Sequence, residues 1–195
     1  MDNQVRNIAP FINDRFLVTS KWWNERINPI TGETEIHRGL DIATSGSKPL
    51  YSMLDGYVHS KYTDSAGALT LIIKDDNPAS PTYGYATLYT HLASYELGIN
   101  VGTRVRKGQK VGMEGKTGQA TGIHLHLEMQ DLNRWNNVWH WSYVKSDYLD
   151  PTQFIGMDNE AGTWWIYDGT PTPTKKDKKG FKWVLYAKKL RAKRL

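Results

Sequence analysis

The segment that decides the fold is Thr121-Gly-Ile-His-Leu-His-Leu-Glu128, because its second half alternates strictly between polar and apolar side chains. Successive side chains of a β-strand point to opposite faces of a sheet. His124, His126 and Glu128 therefore share one face, and the leucines between them share the other face with Met129. This alternation predicts a strand that packs its apolar face on a core and presents its imidazoles to a groove.

A second group of ligand-type side chains lies in His37-Arg-Gly-Leu-Asp41. Positions four apart share a face on a strand and also on a helix, so His37 and Asp41 can hold one cation in either geometry. Two histidines and one carboxylate, with a fourth position open to water, are typical of a catalytic zinc site. Neither spacing is specific alone, but the two together favour a metal site.

The absence of cysteine restricts the chemistry of the chain. It excludes a disulfide scaffold, thiolate zinc sites and a cysteine nucleophile. Any bound metal must therefore be held by histidine and carboxylate. Among the six histidines, His59 and His140 have no metal-like spacing, and we expect them to be surface or packing residues.

Short apolar stretches separated by Gly, Pro, Asn and Asp extend over most of the 195 residues. Strand-length stretches with turn signals between them predict a mainly β domain, without long helical periodicity or an internal repeat. The predicted organisation is an N-terminal lead-in over 1–16, one domain over 17–156, a linker over 157–180 that is rich in Thr, Pro and Lys from residue 168, and a basic aromatic tail over 181–195.

The charge of the chain is divided unevenly. Ten of its 25 Lys and Arg residues, but only one of its 20 Asp and Glu residues, lie in residues 175–195. This segment has a net charge of +9, which leaves −4 on residues 1–174. Such a composition is typical of a solvated extension, and also of a segment attracted to an anionic polymer or membrane surface.

Other segments of the chain follow, in order, the pattern of a known family. They are Val18-Thr-Ser20, Arg26-Ile-Asn-Pro-Ile-Thr-Gly32, Pro49-Leu-Tyr51, Asp55-Gly-Tyr-Val58, Leu88-Tyr-Thr-His-Leu92, Val105-Arg-Lys-Gly-Gln-Lys-Val-Gly112 and Gly115-Lys-Thr-Gly118. With the two histidine segments, they make the chain from about Val18 to Gly156 resemble the M23 metallopeptidases, the lysostaphin- and LytM-type enzymes that cut peptide bonds in bacterial peptidoglycan.

This resemblance implies a fold and a set of site residues. The fold is mainly β, with antiparallel sheets that form an open groove. His37, Asp41 and His126 match the three zinc ligands, which implies one zinc ion per chain. His91 and His124 match the two non-ligand histidines beside the metal, which implies that both are catalytic.

The resemblance also implies a reaction, which is zinc-dependent hydrolysis of the peptide cross-links of peptidoglycan. Glycine bridges and D-alanyl cross-links both stay open as the bond that is cut. The alternative is a catalytically silent cell-wall-binding or structural module of a phage particle. Degenerate members are expected to lack a ligand or a catalytic histidine, and this chain has all five residues.

One departure from the family pattern lies before Arg26. The family usually has an aromatic-glycine pair there, and Trp23-Asn24 stands in its place. Asn tolerates the left-handed backbone conformation that glycine would supply, so we expect the turn to be kept with Asn24 in that conformation.

Glu128 and a stripe of alternating aromatic residues after it each allow two interpretations. Glu128 shares the face of His126, and we expect it to orient an imidazole or an arginine rather than to act as a general base. Alternating aromatic residues follow the strand and predict core or hairpin packing, with an exposed platform for glycan or stem peptide as the alternative. These aromatic residues are Trp135, Trp139, Trp141 and Tyr143.

The sequence also suggests where the protein acts. No apolar run approaches the ~18 residues of a membrane-spanning helix, and the first residues lack the pattern of a secretory signal. Since peptidoglycan lies outside the cell membrane, we expect a bacteriophage enzyme, carried on a virion or released from the host cytoplasm at lysis. Expected partners are peptidoglycan, an anionic wall polymer or membrane for the tail, and other virion proteins.

Overall fold

The computed structural model describes residues 9–167 and, beyond them, the backbone of three two-residue strand segments. The strands, in chain order, are β1 (Arg15–Ser20), β2 (Asn24–Ile27), β3 (Thr34–His37), β4 (Leu40–Ala43), β5 (Pro49–Tyr51), β6 (Gly56–Thr63), β7 (Leu69–Lys74), β8 (Tyr85–Leu92), β9 (Ser94–Tyr95), β10 (Arg104–Val105), β11 (Lys110–Met113), β12 (Leu125–Asp131), β13 (Trp164–Ile166), β14 (Lys175–Lys176), β15 (Lys182–Trp183) and β16 (Lys188–Lys189).

Helical structure is a minor part of the described chain. It consists of one five-residue helix, α1, and two 3₁₀ turns, with the bounds Pro151–Ile155, Leu132–Trp135 and Lys145–Asp147. The Asp150 side chain caps α1 by accepting from the Thr152 amide, and Pro151 is the first helical residue. The predicted mainly β fold class is confirmed.

Nine of the strands within the described residues form one antiparallel sheet in the order β10-β6-β7-β8-β12-β4-β1-β13-β16. β12 lies between β8 and β4, and His126 is paired with Thr90 on β8 and with Asp41 on β4. The sheet register therefore brings residues from three distant parts of the sequence to one point. A smaller sheet, β5-β11-β9, packs beside the large one, and β2 and β3 form a hairpin.

The β12 alternation follows the sequence prediction. Leu125, Leu127 and Met129 are fully buried in the core, and the opposite face carries His126 and Glu128. The core otherwise consists of apolar residues of the central strands, such as those of β7 and β8. Burial of this apolar face is the main force that holds β12 in register, since a shift by one residue would turn its leucines to solvent.

The two candidate metal ligands His37 and Asp41 do not lie on a single strand or helix. His37 ends β3 and Asp41 lies in β4, with the chain bending at Arg38 and Gly39 between them. Gly39 passes so close to the His126 ring that a Cβ built on it would lie 2.4 Å from Nε2 of that ring. The bend thus needs a residue without a side chain.

The packed core extends past both predicted limits of the 17–156 domain. Phe11 and Phe16, in the predicted lead-in, are fully buried, and Trp165 and Tyr167, in the predicted linker, are each only 4% exposed. β13 pairs with β1, which anchors the returning chain to the sheet. Sequence spacing does not reveal this extension, because the pairing of β1 with β13 joins residues about 150 positions apart, such as Arg15 and Ile166.

The remaining predictions for the C-terminal part, a linker over 168–180 and a basic tail over 181–195, lie outside the described residues apart from the backbone of β14, β15 and β16. No helix in the described part of the chain is long and apolar enough to span a membrane.

Candidate metal centre and groove

The structure brings His37, Asp41 and His126 together at one point of the large sheet. His37 Nε2 lies 3.0 Å from Asp41 Oδ1 and 3.0 Å from His126 Nδ1, and the last of these atoms lies 2.8 Å from Asp41 Oδ1. In the described residues this is the group of His and carboxylate side chains that could hold a metal ion. His37 and Asp41 are both buried, at 4% and 6% exposure.

The outer nitrogen of each ligand-type imidazole has its own partner. His37 Nδ1 lies 3.0 Å from the Lys21 carbonyl oxygen, and His126 Nε2 lies 3.0 Å from Glu128 Oε1. Donation to these acceptors leaves the inner nitrogens with lone pairs that face the Asp41 carboxylate. Three electron-rich atoms at mutual distances near 3 Å need a positive charge between them, and His₂Asp is a donor set that zinc accepts.

The same atoms also govern protonation. Burial acts to raise the pKa of Asp41, but hydrogen bonds with His126 and His37 hold it well below its ordinary value. Burial acts to lower the pKa of His126, but hydrogen bonds with Asp41 and Glu128 raise it to about 9. A proton or a metal ion can hold this cluster together, and metal binding displaces the proton because a ligand histidine is neutral.

Arg26 fixes the second oxygen of Asp41. Its Nη1 donates to Asp41 Oδ2 at 3.0 Å and to Ser20 Oγ at 2.9 Å, while its Nε donates to Glu35 Oε1 at 2.8 Å. The carboxylate is therefore held in one orientation, with Oδ1 toward the imidazoles. Arg26 lies in one of the segments that resemble the family, but the spacing of the sequence does not reveal its contact with Asp41.

His91 reaches the same point through an irregularity in β8. Leu69 and Leu71 on β7 pair with Leu92 and Tyr89 on β8, so two residues of β8 oppose one residue of β7. His91 has a φ of 66°, in the left-handed region that non-glycine residues rarely adopt. Bulges and such backbone outliers recur at functional sites, where they redirect a side chain.

The two non-ligand histidines lie side by side, with ring centroids 4.7 Å apart. His91 Nδ1 lies 2.8 Å from the Thr117 carbonyl oxygen, and His124 Nδ1 lies 2.9 Å from the Gly122 carbonyl oxygen. Both imidazoles can donate from Nδ1 and keep Nε2 for the groove. The Nε2 of His124 lies 3.8 Å from Asp41 Oδ1. It is therefore at the edge of the group formed by His37, Asp41 and His126, which we call the metal-type cluster.

The environment of His91 favours its neutral form. Burial, and next the neighbouring charge of His126, lower the pKa of His91 to about 4. Its hydrogen bond to the Thr117 carbonyl acts in the opposite direction but is weaker. A neutral imidazole at this position can accept a proton at Nε2.

An open groove passes over the site in two arms. One arm has a volume of about 270 Å³ and lies between the 28–30 turn and the 119–124 loop. The other has a volume of about 400 Å³ and is bordered by β3, Tyr62, Asp64 and Trp141. Both arms include His91 and His126, so an extended chain that occupied both would cross the metal-type cluster.

The turn before β2 differs from the expectation for Asn24. The residue with left-handed backbone is Trp23, with a φ of 52°, and Asn24 begins β2. Trp23 keeps this conformation because its ring packs on Tyr148 at 5.4 Å between centroids. The Asn159 side chain also bonds the Trp22 backbone, accepting from its amide at 2.9 Å and donating to its carbonyl at 3.0 Å.

The aromatic stripe is divided between packing and exposure. Trp139 is buried, and Trp135 stacks on His140 with ring centroids 3.9 Å apart. Trp141 and Tyr143 are 55% and 74% exposed. The packing interpretation therefore describes the first half of the stripe, while the second half is open to solvent. His140 and also His59, which contacts the Asn137 carbonyl, lie outside the metal-type cluster.

A comparison with models of known protein families finds a match over more than half of the chain. Residues 35–138, more than half of the chain, match the model described as peptidase family M23. The five candidate site residues, His37, Asp41, His91, His124 and His126, all lie in this range.

A curated relative is the peptidoglycan DD-endopeptidase ShyB of Vibrio cholerae, which is 34% identical over 117 residues, or 60% of this chain and 26% of that protein. The matched region spans 24–30% of the length of the curated relatives considered.

Solved structures also resemble this chain. A zinc-containing peptidase from Vibrio cholerae is 33% identical, with a TM-score of 0.51, over 64% of this chain and 36% of that one. The antimicrobial peptidase lysostaphin from Staphylococcus simulans is 22% identical, with a TM-score of 0.54, over 85% of this chain and 60% of that one, and it shows the likeness of fold alone.

Proposed function

Since this chain belongs to peptidase family M23, we propose that it is a zinc-dependent endopeptidase that hydrolyses the peptide cross-links of bacterial peptidoglycan. The observation that supports this most directly is the convergence of five side chains at one point of an open groove. Three of them face one another with donor atoms 2.8–3.0 Å apart, and two histidines stand beside them.

The metal would be held by His37 Nε2, Asp41 Oδ1 and His126 Nδ1. Zinc, when bound in such a site, would polarise a scissile carbonyl and lower the pKa of a coordinated water to ~7. The protein supplies the orientation of the ligands through the Lys21 carbonyl, Glu128 and Arg26, which fix the two imidazoles and the carboxylate.

His91 and His124 perform the proton transfers in this proposal. Each holds its Nδ1 hydrogen on a backbone carbonyl, so Nε2 is the atom that accepts or returns a proton. One takes the proton of the attacking water, and the other donates to the oxyanion or to the leaving amine. Their rings are adjacent, and both line the smaller arm of the groove, where a substrate carbonyl would lie.

The direct test is mass spectrometry of the fragments released from purified peptidoglycan of several wall types, with and without a chelator. We expect fragments with a new free amine, lost with the chelator and restored when zinc is returned. These fragments also identify the bond that is cut. No release from any wall by the zinc-containing protein would contradict the proposal and favour the silent wall-binding module.

The setting in which the protein acts stays a prediction. A bacteriophage source, with the enzyme carried on the virion or released at lysis, would bring this chemistry to the wall. Other virion proteins would then be partners.

A further inference from the structure

Arg38 occupies an unusual place on the larger arm of the groove. It follows the metal-type ligand His37 directly, and its guanidinium carbon lies 5.2 Å from the ring centroid of Trp141 and 5.1 Å from that of Tyr143. Both distances are within the range of cation–π attraction. The guanidinium is therefore held by two aromatic rings that are themselves largely exposed to solvent.

Arg38 forms an ion pair with Glu128 but donates no hydrogen bond of ordinary length to any of the described residues, so its N–H groups stay available. The nearest carboxylate oxygen, Glu128 Oε1, lies 3.7 Å from Arg38 Nε, which is beyond hydrogen-bond distance, and that oxygen is engaged by His126 at 3.0 Å. Arg26, the other arginine of this arm, contrasts with it, because its Nε and Nη1 donate to Glu35, Ser20 and Asp41. The N–H groups of Arg26 therefore hold other side chains of the protein in place, whereas those of Arg38 are available to a ligand.

The chemistry of a clamped guanidinium indicates its ligand. A planar guanidinium presents paired N–H donors along its edge, a geometry that matches a carboxylate with two parallel hydrogen bonds. Stacking on two rings restricts its rotation, which lowers the entropy cost of binding. The side chain is 23% exposed and borders the 400 Å³ arm, so a ligand lying in the groove can reach it.

Glu128 links Arg38 to the metal-type cluster and so indicates where that carboxylate lies. Its Oε1 lies 3.7 Å from Arg38 Nε and 3.0 Å from Nε2 of His126. We infer that Arg38, clamped by Trp141 and Tyr143, binds a substrate carboxylate next to the scissile bond. This inference rests on the proposed function and narrows its substrate class to cross-links with a free carboxylate beside the cut bond, rather than uncharged glycine bridges.

The test uses two synthetic cross-linked peptides without glycan that differ in one group, a free carboxylate or a carboxamide beside the scissile bond. Charge-assisted hydrogen bonds predict about a 10-fold higher kcat/KM for the carboxylate peptide, mainly through KM. Arg38→Gln should reduce kcat/KM on that peptide to the level of the carboxamide peptide. Arg104→Gln, which removes an exposed arginine paired with Asp76, is the matched control and should keep the 10-fold preference.

Tyr143→Ala is a second variant, which tests the inference even if Arg38→Gln fails to fold or loses zinc. It leaves the arginine in place but removes one ring of the clamp, and we expect a smaller preference for the carboxylate peptide at unchanged zinc content. Equal rates of the wild-type enzyme on both peptides would overturn the inference. A loss in Arg38→Gln that is the same on both peptides would overturn it too, because that is the result of a purely structural role.

A second readout separates this inference from the proposed function. The Nε–Hε signal of Arg38 in the NMR spectrum should shift on titration with the carboxylate peptide and not with the carboxamide peptide, whether or not the peptide is cut. No release of fragments from any wall, together with this selective shift, would contradict the endopeptidase and support the carboxylate site. A preference that appears only when the peptides carry glycan would instead assign the Trp141 surface to sugar and overturn the inference.

Discussion

Gly39 shows how much a single residue decides at this site. It separates the two metal-type residues of one segment and lies against the ring of the third. A Cβ at this position would stand 2.4 Å from two atoms of the His126 ring, and real Cβ atoms do not approach that closely. The requirement is therefore for space beside an imidazole, because Gly39 is not among the glycines of positive φ.

Gly39→Ala should consequently displace the His126 ring and weaken metal binding. We expect a loss of zinc affinity of about 10- to 100-fold, the range seen when the surroundings of a ligand are disturbed. Zinc titration with a competing chromophoric chelator measures it. Gly122→Ala is the matched control, since a Cβ there meets no atom within 4 Å. Equal affinities of the two variants would mean that the His126 ring can move aside without cost.

Substitutions of Asp41 and of His124 should change different quantities, zinc content for Asp41 and kcat for His124. Asp41→Ala removes a donor atom that lies 2.8 Å from His126 Nδ1, so zinc content should fall. His124→Ala removes an imidazole outside the donor set, so zinc content should be kept while kcat falls by about 10²- to 10⁴-fold. Metal analysis beside the peptidoglycan assay checks both. Wild-type turnover of His124→Ala would remove this residue from the mechanism, and full zinc content of Asp41→Ala would refute its role as a ligand.

At the scale of elements, the turn between β1 and β2 links a distant segment to the metal-type cluster. The Lys21 carbonyl orients His37, the next residue is held by Asn159, and Trp23 is in a left-handed conformation. A left-handed backbone costs a non-glycine residue roughly 1–2 kcal/mol, so the surrounding contacts must hold the turn. Asn159 lies beyond the residues matched to the family model, which end at 138.

Asn159→Ala should therefore reduce both stability and metal affinity. The substitution leaves the amide and carbonyl of Trp22 without their side-chain partners, and we expect a loss of about 2 kcal/mol in the free energy of unfolding. Zinc affinity should fall as well, because the Lys21 carbonyl is no longer fixed. Thermal unfolding with and without zinc measures both effects. Asn77→Ala, in an exposed turn, is the control, and an unchanged affinity in Asn159→Ala would confine Asn159 to stability.

A second element, the start of the loop after β11, gives a pH dependence away from the metal-type cluster. Glu114 is fully buried, and burial raises its pKa although the Thr44 amide donates to it at 3.0 Å. An acid whose pKa is raised in the folded state binds its proton more tightly there than in the unfolded chain. The native state therefore loses stability as pH rises above the ordinary pKa of 4.5 and through the raised value.

Glu114→Gln removes this ionisation and keeps a side chain of the same shape. We expect the melting temperature of the variant, relative to the wild type, to rise between pH 4 and pH 7. Differential scanning calorimetry across that range measures the difference. A difference that is constant with pH would show that the pKa of Glu114 is the same in the folded and the unfolded state.

On the scale of the whole molecule, sequence predicts what is local and misses what long-range pairing decides. The alternation around His126 gives β12 and its two faces, because one strand carries the entire signal. The direction of His91 depends on a register shift between two strands, and no pattern within β8 encodes it. The clamp on Arg38 joins residues about one hundred positions apart, so spacing could not reveal it.

The net charge of the whole molecule is divided between its folded part and its C-terminal segment. Residues 1–174 carry a net charge of −4, while residues 175–195 carry +9, so we expect attraction to anionic surfaces, if it occurs, to come from the C-terminal residues. The buried core that the structure describes consists of residues between Ala9 and Tyr167, and β13 of this core pairs with β16 of the C-terminal segment. The buried core and the excess of positive charge thus lie in different parts of the chain.

Truncation after Gly169 should leave a folded protein that binds walls and anionic vesicles less tightly. Sedimentation with purified walls, and with vesicles that contain an anionic lipid, measures the loss at low and at high salt. Exposed charges are screened beyond ~10 Å at 0.1 M salt, so the advantage of the full chain should shrink as salt is added.

A full-length variant with the ten Lys and Arg residues of 175–195 changed to Gln keeps the length of the chain and is the matched control. If charge is the cause, this variant sediments like the truncated protein. If both variants sediment like the full chain, the basic segment plays no part in binding, and the body with its groove accounts for attachment to the wall.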